Sequence, residues 1–228
     1  MTQQSNQKPL NLNEWAYHSI KKRILDNEFK SGSQLNIEEL SKELNISRTP
    51  IREALLRLRQ NGFVVSFSNV GFFVCGITRD DFEDIFEMRQ LIEAYAVVKF
   101  IETCTDDEIR EVLDIHSQCV AQAKIENIKA FNDYDIQLHN MFINRLSNKK
   151  MRAVYDNVDD LLYRLRIYAI KSSENIKQSL LEHEKIMCAV SGRDSVAGKL
   201  AMEKHIVNIH DRIKPFVDFE GEALKIAK

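Results

Sequence analysis

From Thr78 onward, apolar residues return at helical spacing almost to the end of the chain, and the pattern pauses at only five places. The pauses fall near Cys104-Thr105, Glu126-Asn127, Ser147-Asn148, Ser172-Ser173 and Gly192, and they leave six amphipathic segments. Thr78-Arg79-Asp80-Asp81 and Thr105-Asp106-Asp107-Glu108 supply hydroxyl caps and first-turn carboxylates, which suit the positive end of a helix dipole. Helices on such short connections bury their apolar faces against one another, so residues 77–228 are expected to form an all-α, six-helix antiparallel bundle. With 7 Gly and 3 Pro in 228 residues, the chain lacks the turn residues of a many-stranded sandwich. No run approaches the ~18 consecutive apolar residues of a membrane span. Met1 to Pro9 is polar, without the apolar centre of a secretory signal. Cys75, Cys104, Cys119 and Cys188 show no paired spacing and read as reduced thiols of a cytoplasmic protein.

The first 76 residues have a different rhythm. Trp15, Ile20, Ile24, Leu25 and Phe29 mark a helix that should stop near Lys30-Ser31-Gly32. Asn36 reads as the N-cap of a short helix with Ile37, Leu40 and Leu44 on one face. Ser47-Arg48-Thr49-Pro50 opens a third helix, running to about Gln60. After Gly62, Phe63–Phe67 and Phe72–Cys75 are short β-branched and aromatic runs around Ser68-Asn69-Val70-Gly71, a hairpin signal. Three short helices and a hairpin make a winged helix-turn-helix over residues 1–76, so the chain is mainly α in two domains.

The charge divides along the same line. Residues 1–76 hold 10 Lys+Arg against 7 Asp+Glu, or +3; residues 77–228 hold 22 against 27, or -5. A basic head on an acidic body suits a head that approaches a polyanion. Within the head, Ile51, Ala54, Leu55 and Leu58 form the inward face of the third helix. Arg48, Arg52 and Arg59 then share the opposite face, with Arg57 to one side. Arginines at the start of the second helix of a helix-turn-helix point into the major groove, where the guanidinium fork can take guanine O6 and N7 together. Ser47, Thr49 and the free amides of the helix start are placed for phosphates.

The body has its own constellation. Asp135 and His139, four apart, share a helix face with Phe131, Leu138, Phe142 and Leu146. His183 sits in the stripe Ile176, Leu180, Met187 and Val190, and His205 in the stripe Met202, Ile209 and Ile213. Buried polar groups require partners, and a divalent transition metal would satisfy all four. Such a donor set suits Zn²⁺ first, with Ni²⁺, Fe²⁺ and Mn²⁺ also compatible, rather than Ca²⁺ or Mg²⁺. A core histidine with a local hydrogen bond is the simpler alternative, and His116, on the stripe Ile109, Val112, Leu113 and Val120, shows how readily one arises.

Tyr17-x-x-Ile20-Lys21, Gly32-Ser33-x-Leu35, Leu40-Ser41-x-x-Leu44, Ser47 through Leu55, Leu58-x-x-x-Gly62-Phe63-Val64 and Gly71-Phe72 resemble the DNA-binding domain of GntR-family bacterial repressors. The resemblance implies that Arg48 and Arg52 contact operator bases, that Ser47 and Thr49 serve the backbone, and that Ser68 and Asn69 reach the minor groove. Glu38 departs from it: some members carry a DNA-contacting arginine there. Met88-Arg89-x-x-x-Glu93-x-x-Ala96, Asp135-x-x-x-His139, His183, Gly192-x-Asp194-x-x-x-Ala197 and His205 are similar to the FCD effector domain of the FadR subfamily. That domain implies a homodimer on double-stranded operator DNA, controlled by a small organic acid held by the metal and by Arg89. Six helices rather than seven point to the VanR-like branch. Two other readings remain at this level: a metalloenzyme built on a His₃Asp site, and a regulator with a metal-free effector pocket.

Overall fold

Asn11 begins the first helix by accepting hydrogen bonds at its side-chain oxygen from the amides of Asn13 and Glu14. The structure, a computed structural model, describes residues 11–217 other than 157 and 171. It divides into two units, one ending at Thr78 and the other running from Arg79 to Val217.

The first unit consists of α1 (Leu12–Leu25), β1 (Gln34–Leu35), α2 (Ile37–Glu43), α3 (Arg48–Gln60), β2 (Val64–Phe67) and β3 (Gly71–Val74). Ala16, Tyr17, Ile20 and Ile24 of α1 and Ile51, Ala54, Leu55 and Leu58 of α3 share one buried core. The strands form an antiparallel sheet in the order β1-β3-β2, with Val65 opposite Phe73. β1 was not visible in the sequence, because two residues cannot display an alternation. It steadies the hairpin tip: Gln34 Nε2 donates to Val70 O at 2.9 Å. A Cβ on Gly71, at φ 129°, would stand 3.0 Å from that Nε2. Glycine is therefore required at this position by both its φ and the close approach.

The second unit contains α4 (Arg79–Thr103), α5 (Asp106–Lys124), α6 (Ile128–Ile143), α7 (Lys149–Asp156), α8 (Asp159–Ala169), α9 (Ser173–Ser191) and α10 (Ser195–Ile213), with a 3₁₀ turn at Lys214–Phe216. The five expected pauses all fall between helices, but the described residues form seven helices where the pattern predicts six. The extra break divides the segment between Asn148 and Ser172. Val158 N–H bonds back to Tyr155 O at 3.2 Å, while Val158 O accepts from Leu162 N at 2.8 Å, so one helix ends as the next begins. The sequence at this joint reads Asp156-Asn157-Val158-Asp159-Asp160, and Asp and Asn are residue types that favour caps and turns over helix interiors. An apolar period that carries across a tight joint hides it. The VanR-like branch, which rested on the count of six, loses that support.

Thr105 and Glu108 form a reciprocal capping box at the start of α5. α10 packs closely on α4: a Cβ on Gly198 would lie 2.5 Å from Ile101 Cδ1 and 3.1 Å from Val97 Cγ1. That contact fixes the height of His205, two turns further along α10. Among the described residues, no helix is long and apolar enough to cross a membrane.

Candidate nucleic-acid interface and buried histidine cluster

In the first unit the functional side chains lie outside the core. α3 buries Ile51, Ala54, Leu55 and Leu58, which turns Ser47, Arg48, Thr49 and Arg52 outward, and all four are exposed. Ser47 occupies the N-cap with extended backbone, but its hydroxyl makes no capping bond. The arginines of α3 are held differently. Arg57 pairs with Glu14 at 2.5 Å and stacks over the Tyr17 ring, while Arg59 donates to Ser66 Oγ at 2.8 Å. Arg48 Nη1 lies 2.9 Å from Glu38 Oε1, across from α3 to α2. Arg52 faces an open groove between α3 and the hairpin, shared with Arg59, Ser68 and Asn69. Ser68 and Asn69 are exposed at the hairpin tip, where Asn69 takes φ 61°, a left-handed conformation that asparagine tolerates.

In the second unit the polar groups point inward. His139 (α6), His183 (α9) and His205 (α10) are buried, and one ligand nitrogen from each lies within 4.8 Å of the others. His183 Nε2 and His205 Nε2 are 3.1 Å apart. The opposite nitrogens of two rings are taken by carboxylates. His139 Nδ1 meets Glu93 Oε2 at 2.5 Å, and His205 Nδ1 meets Glu182 Oε2 at 2.8 Å. Such outer partners orient an imidazole and leave its other nitrogen free to bind a ligand. His139 Nε2 and His183 Nδ1 are buried without a hydrogen-bond partner.

Each carboxylate is itself secured. Glu93 Oε1 accepts from Arg89 Nε at 2.6 Å and from the Tyr155 hydroxyl at 3.0 Å. Glu182 accepts from Asn208 and from both terminal nitrogens of Arg212. Burial alone raises the Glu93 carboxyl, but the Arg89 guanidinium and the His139 ring outweigh it and hold the group well below the usual range. Glu182 likewise resists burial through His205 and Arg212, and falls to about 2. Burial lowers His205 to about 4 despite Glu182, and burial with the neighbouring His205 and His139 rings holds His183 well below the ordinary imidazole range. At neutral pH His183 and His205 are therefore uncharged, and Glu93 and Glu182 are ionised.

Asp135 stands at the edge of this cluster. Its Oδ1 is 3.7 Å from His183 Nε2, and its Oδ2 pairs with Arg166 of α8. Arg89, Asp135 and Arg166 line a cavity of about 20 Å³ walled by Phe86, Phe131 and Leu165, among others. Arg89 is 2% exposed and its Nη2 has no hydrogen-bond partner. Sequence reasoning missed Glu182, Arg166, Tyr155 and Arg212. Glu182 was legible in principle, since a carboxylate beside a core histidine is a natural partner for a neighbouring imidazole. Arg166 was not, because its helix joins the cluster through tertiary packing alone.

A winged helix-turn-helix with exposed basic side chains, joined in one chain to a helical unit with a polar pocket at its core, defines a ligand-responsive DNA-binding regulator. The family model described as "FCD domain" matches residues 84–208, and that of the bacterial regulatory proteins of the gntR family matches residues 12–74. The chain belongs to the gntR family of bacterial regulatory proteins, as a member with an FCD domain, and it is a transcriptional regulator rather than an enzyme. It is 25% identical to the uncharacterised HTH-type transcriptional regulator YdhC of Bacillus subtilis (strain 168), over 90% of this chain and 92% of that one. It is 19% identical to the gluconate operon transcriptional repressor of the same organism, over 86% and 83% of the two chains. A crystal structure of a putative GntR regulator from Rhodococcus sp. RHA1 matches with a TM-score of 0.73 at 18% identity, covering 89% of this chain and 97% of that one.

Proposed function

We propose that this regulator is a cytoplasmic, metabolite-responsive repressor that binds double-stranded operator DNA as a homodimer and is controlled by a metal-assisted site for a small organic acid. On the DNA side, Arg48 and Arg52 take base edges, Ser47 and Thr49 serve phosphates, and Ser68 and Asn69 enter the minor groove. The Ser47 hydroxyl supports this reading, because its helix makes no use of it. Outward-facing apolar residues, Leu91 and Tyr95 on α4 and Val196 and Leu200 on α10, support association with a second copy.

The observation that carries the metal reading is the meeting of three buried imidazoles, one nitrogen of each within 4.8 Å of the others, with Asp135 Oδ1 3.7 Å from His183 Nε2. His139, His183 and His205 would hold the ion, with Asp135 as fourth ligand, and a nitrogen-rich set favours Zn²⁺, with Ni²⁺, Fe²⁺ or Mn²⁺ as substitutes. When bound, the ion supplies a fixed positive charge and a Lewis-acid position for a carboxylate. Arg89 and Arg166 add cationic charge to the same cavity. The effector acts only if it binds the DNA-competent and incompetent arrangements with different affinity. The scheme then has it alter the spacing of paired recognition helices relative to their half-sites.

A metal-free effector pocket is the second reading, favoured by the Asp135–Arg166 pair, which already neutralises the carboxylate. Elemental analysis of the purified protein beside an Asp135→Ala/His183→Ala variant separates the two. Stoichiometric metal in the parent and its loss in the variant is the expected result. Absence of metal from both, with no thermal shift on adding Zn²⁺, favours the second reading. A mobility-shift assay on the promoter beside its own gene, with small carboxylates added, tests DNA binding and effector class together.

A further inference from the structure

Among the arginines of α3, Arg48 stands at the first helical position, where a side chain meets the major groove. It is also the one held from the preceding helix, by Glu38 at 2.9 Å. Both side chains are largely in solvent, 68% and 58% exposed, so the pair adds little to folding. Its position makes it relevant elsewhere, because it joins the two helices of the helix-turn-helix at the face that approaches DNA.

Two features fix where the carboxylate stands. Asn36 caps α2 by accepting from the amides of Glu38 and Glu39, so the backbone that carries Glu38 is anchored. Glu38 and Glu39 fill the first turn, where carboxylates complement the helix dipole. A helix start of this kind commonly binds phosphate, but here its own carboxylates occupy that role and would repel a phosphate. Glu38 therefore has one favourable use at a DNA surface, which is to hold a cation that does contact DNA.

We propose that Glu38 is a positioning residue for DNA reading: it engages Arg48 at Nη1, fixes which edge of the guanidinium is presented, and keeps that arginine on a base and off the backbone. An arginine with no such partner can turn to the nearest phosphate, a contact available on any sequence. Tied at Nη1, the fork keeps donors for guanine O6 and N7, which need two parallel N–H groups in one plane. The neighbouring carboxylate makes a move toward phosphate unfavourable. Glu38 in this way exchanges general affinity for discrimination. The inference rests on the reading of Arg48 as a base-contacting residue.

The test uses the full-length chain and a duplex selected by the wild-type protein from a randomised pool. Affinities are measured on that duplex, on single-base variants and on an unrelated duplex, across a range of salt concentrations. Glu38→Gln is expected to reduce discrimination between the selected duplex and one altered base pair by about tenfold. Binding to the unrelated duplex should strengthen, and its log affinity against log salt should steepen by about one charge as Arg48 turns to phosphate. In an Arg48→Ala background, Glu38→Gln should change discrimination no further. Unchanged discrimination in Glu38→Gln, or an equal effect of Glu38→Gln with and without Arg48, overturns the proposal. Discrimination that survives Arg48→Ala alone instead removes the underlying reading of Arg48. Thermal melting of each variant accompanies the series, and a purely structural role would move the melting point while leaving the discrimination ratio intact.

Discussion

The two units of this regulator treat charge in opposite ways. The head keeps an apolar core and sets its ionic groups in water: Arg48 and Glu38 meet in the open. The body draws charge inside: Arg89 and Glu93 are 2% and 1% exposed and pair at 2.6 Å. Ion pairs in water contribute little to folding, which leaves such a pair free to orient an arginine toward DNA. Buried pairs are held by the desolvation penalty of losing a partner, which suits a cavity whose shape and charge must persist. Similar salt bridges thus orient a surface contact in one place and hold a fixed frame in the other.

The contrast can be broken most directly by cutting one carboxylate in each unit. Glu93→Ala should destabilise the body by about 3–5 kcal/mol, because Arg89 and His139 lose their buried counterpart. Glu38→Ala should change folding stability by less than about 0.5 kcal/mol. Chemical denaturation of both variants checks this, and comparable losses would erase the distinction. Zn²⁺ in excess should stabilise the body, by about 4 kcal/mol at a thousand times its dissociation constant, and the gain should vanish in His183→Ala. Calorimetry with and without chelator is the measurement.

Acid should expose the same difference. His205 titrates near 4 in the fold and near 6.5 when unfolded, so between those values the unfolded chain binds more protons. Metal-free protein should therefore be most stable above about pH 6.5 and lose roughly 3 kcal/mol as pH falls toward 4, from this group alone. Depressed His183 adds loss in the same direction, and Glu93 and Glu182 add theirs once the pH drops below the ordinary carboxylate range. Urea midpoints across this range read the slope.

Smaller effects belong to the head. Arg48→Ala should weaken binding to the selected duplex by about 1–3 kcal/mol while leaving the melting temperature unchanged. Ser47→Ala is the finest test. An N-cap serine removed in this way commonly costs 0.5–2 kcal/mol, but with no capping bond to lose, the expected folding penalty here is near zero. A shift in DNA affinity without a shift in stability would assign the hydroxyl to the backbone of the duplex.

The sequence was most informative where a local rule leaves a mark. Asn36 and Ser47 announced helix starts, Gly71 announced the hairpin, and the stripes around His183 and His205 faced inward as their period requires. Legibility ended where tertiary packing chooses the partner. Arg166 meets Asp135, 31 residues away, only because the tertiary fold brings a side chain of α8 within reach of one on α6. Glu182 meets His205 across two helices, although Glu182 and His183 are adjacent in the chain. The joint at Val158 escaped for another reason, since a short turn between helices need not disturb the rhythm of apolar residues.

Glu93 accepts from Arg89 and Tyr155 at one oxygen and meets His139 at the other. Three helices, α4, α6 and α7, thus converge on a single acidic group. An anion drawing Arg89 toward the cavity would leave more of that negative charge for the imidazole, making His139 a better electron donor on its far side. A metal pulling on His139 would in turn loosen the guanidinium. Occupancy at either end would then be felt at the other through one carboxylate, with no helix having to travel.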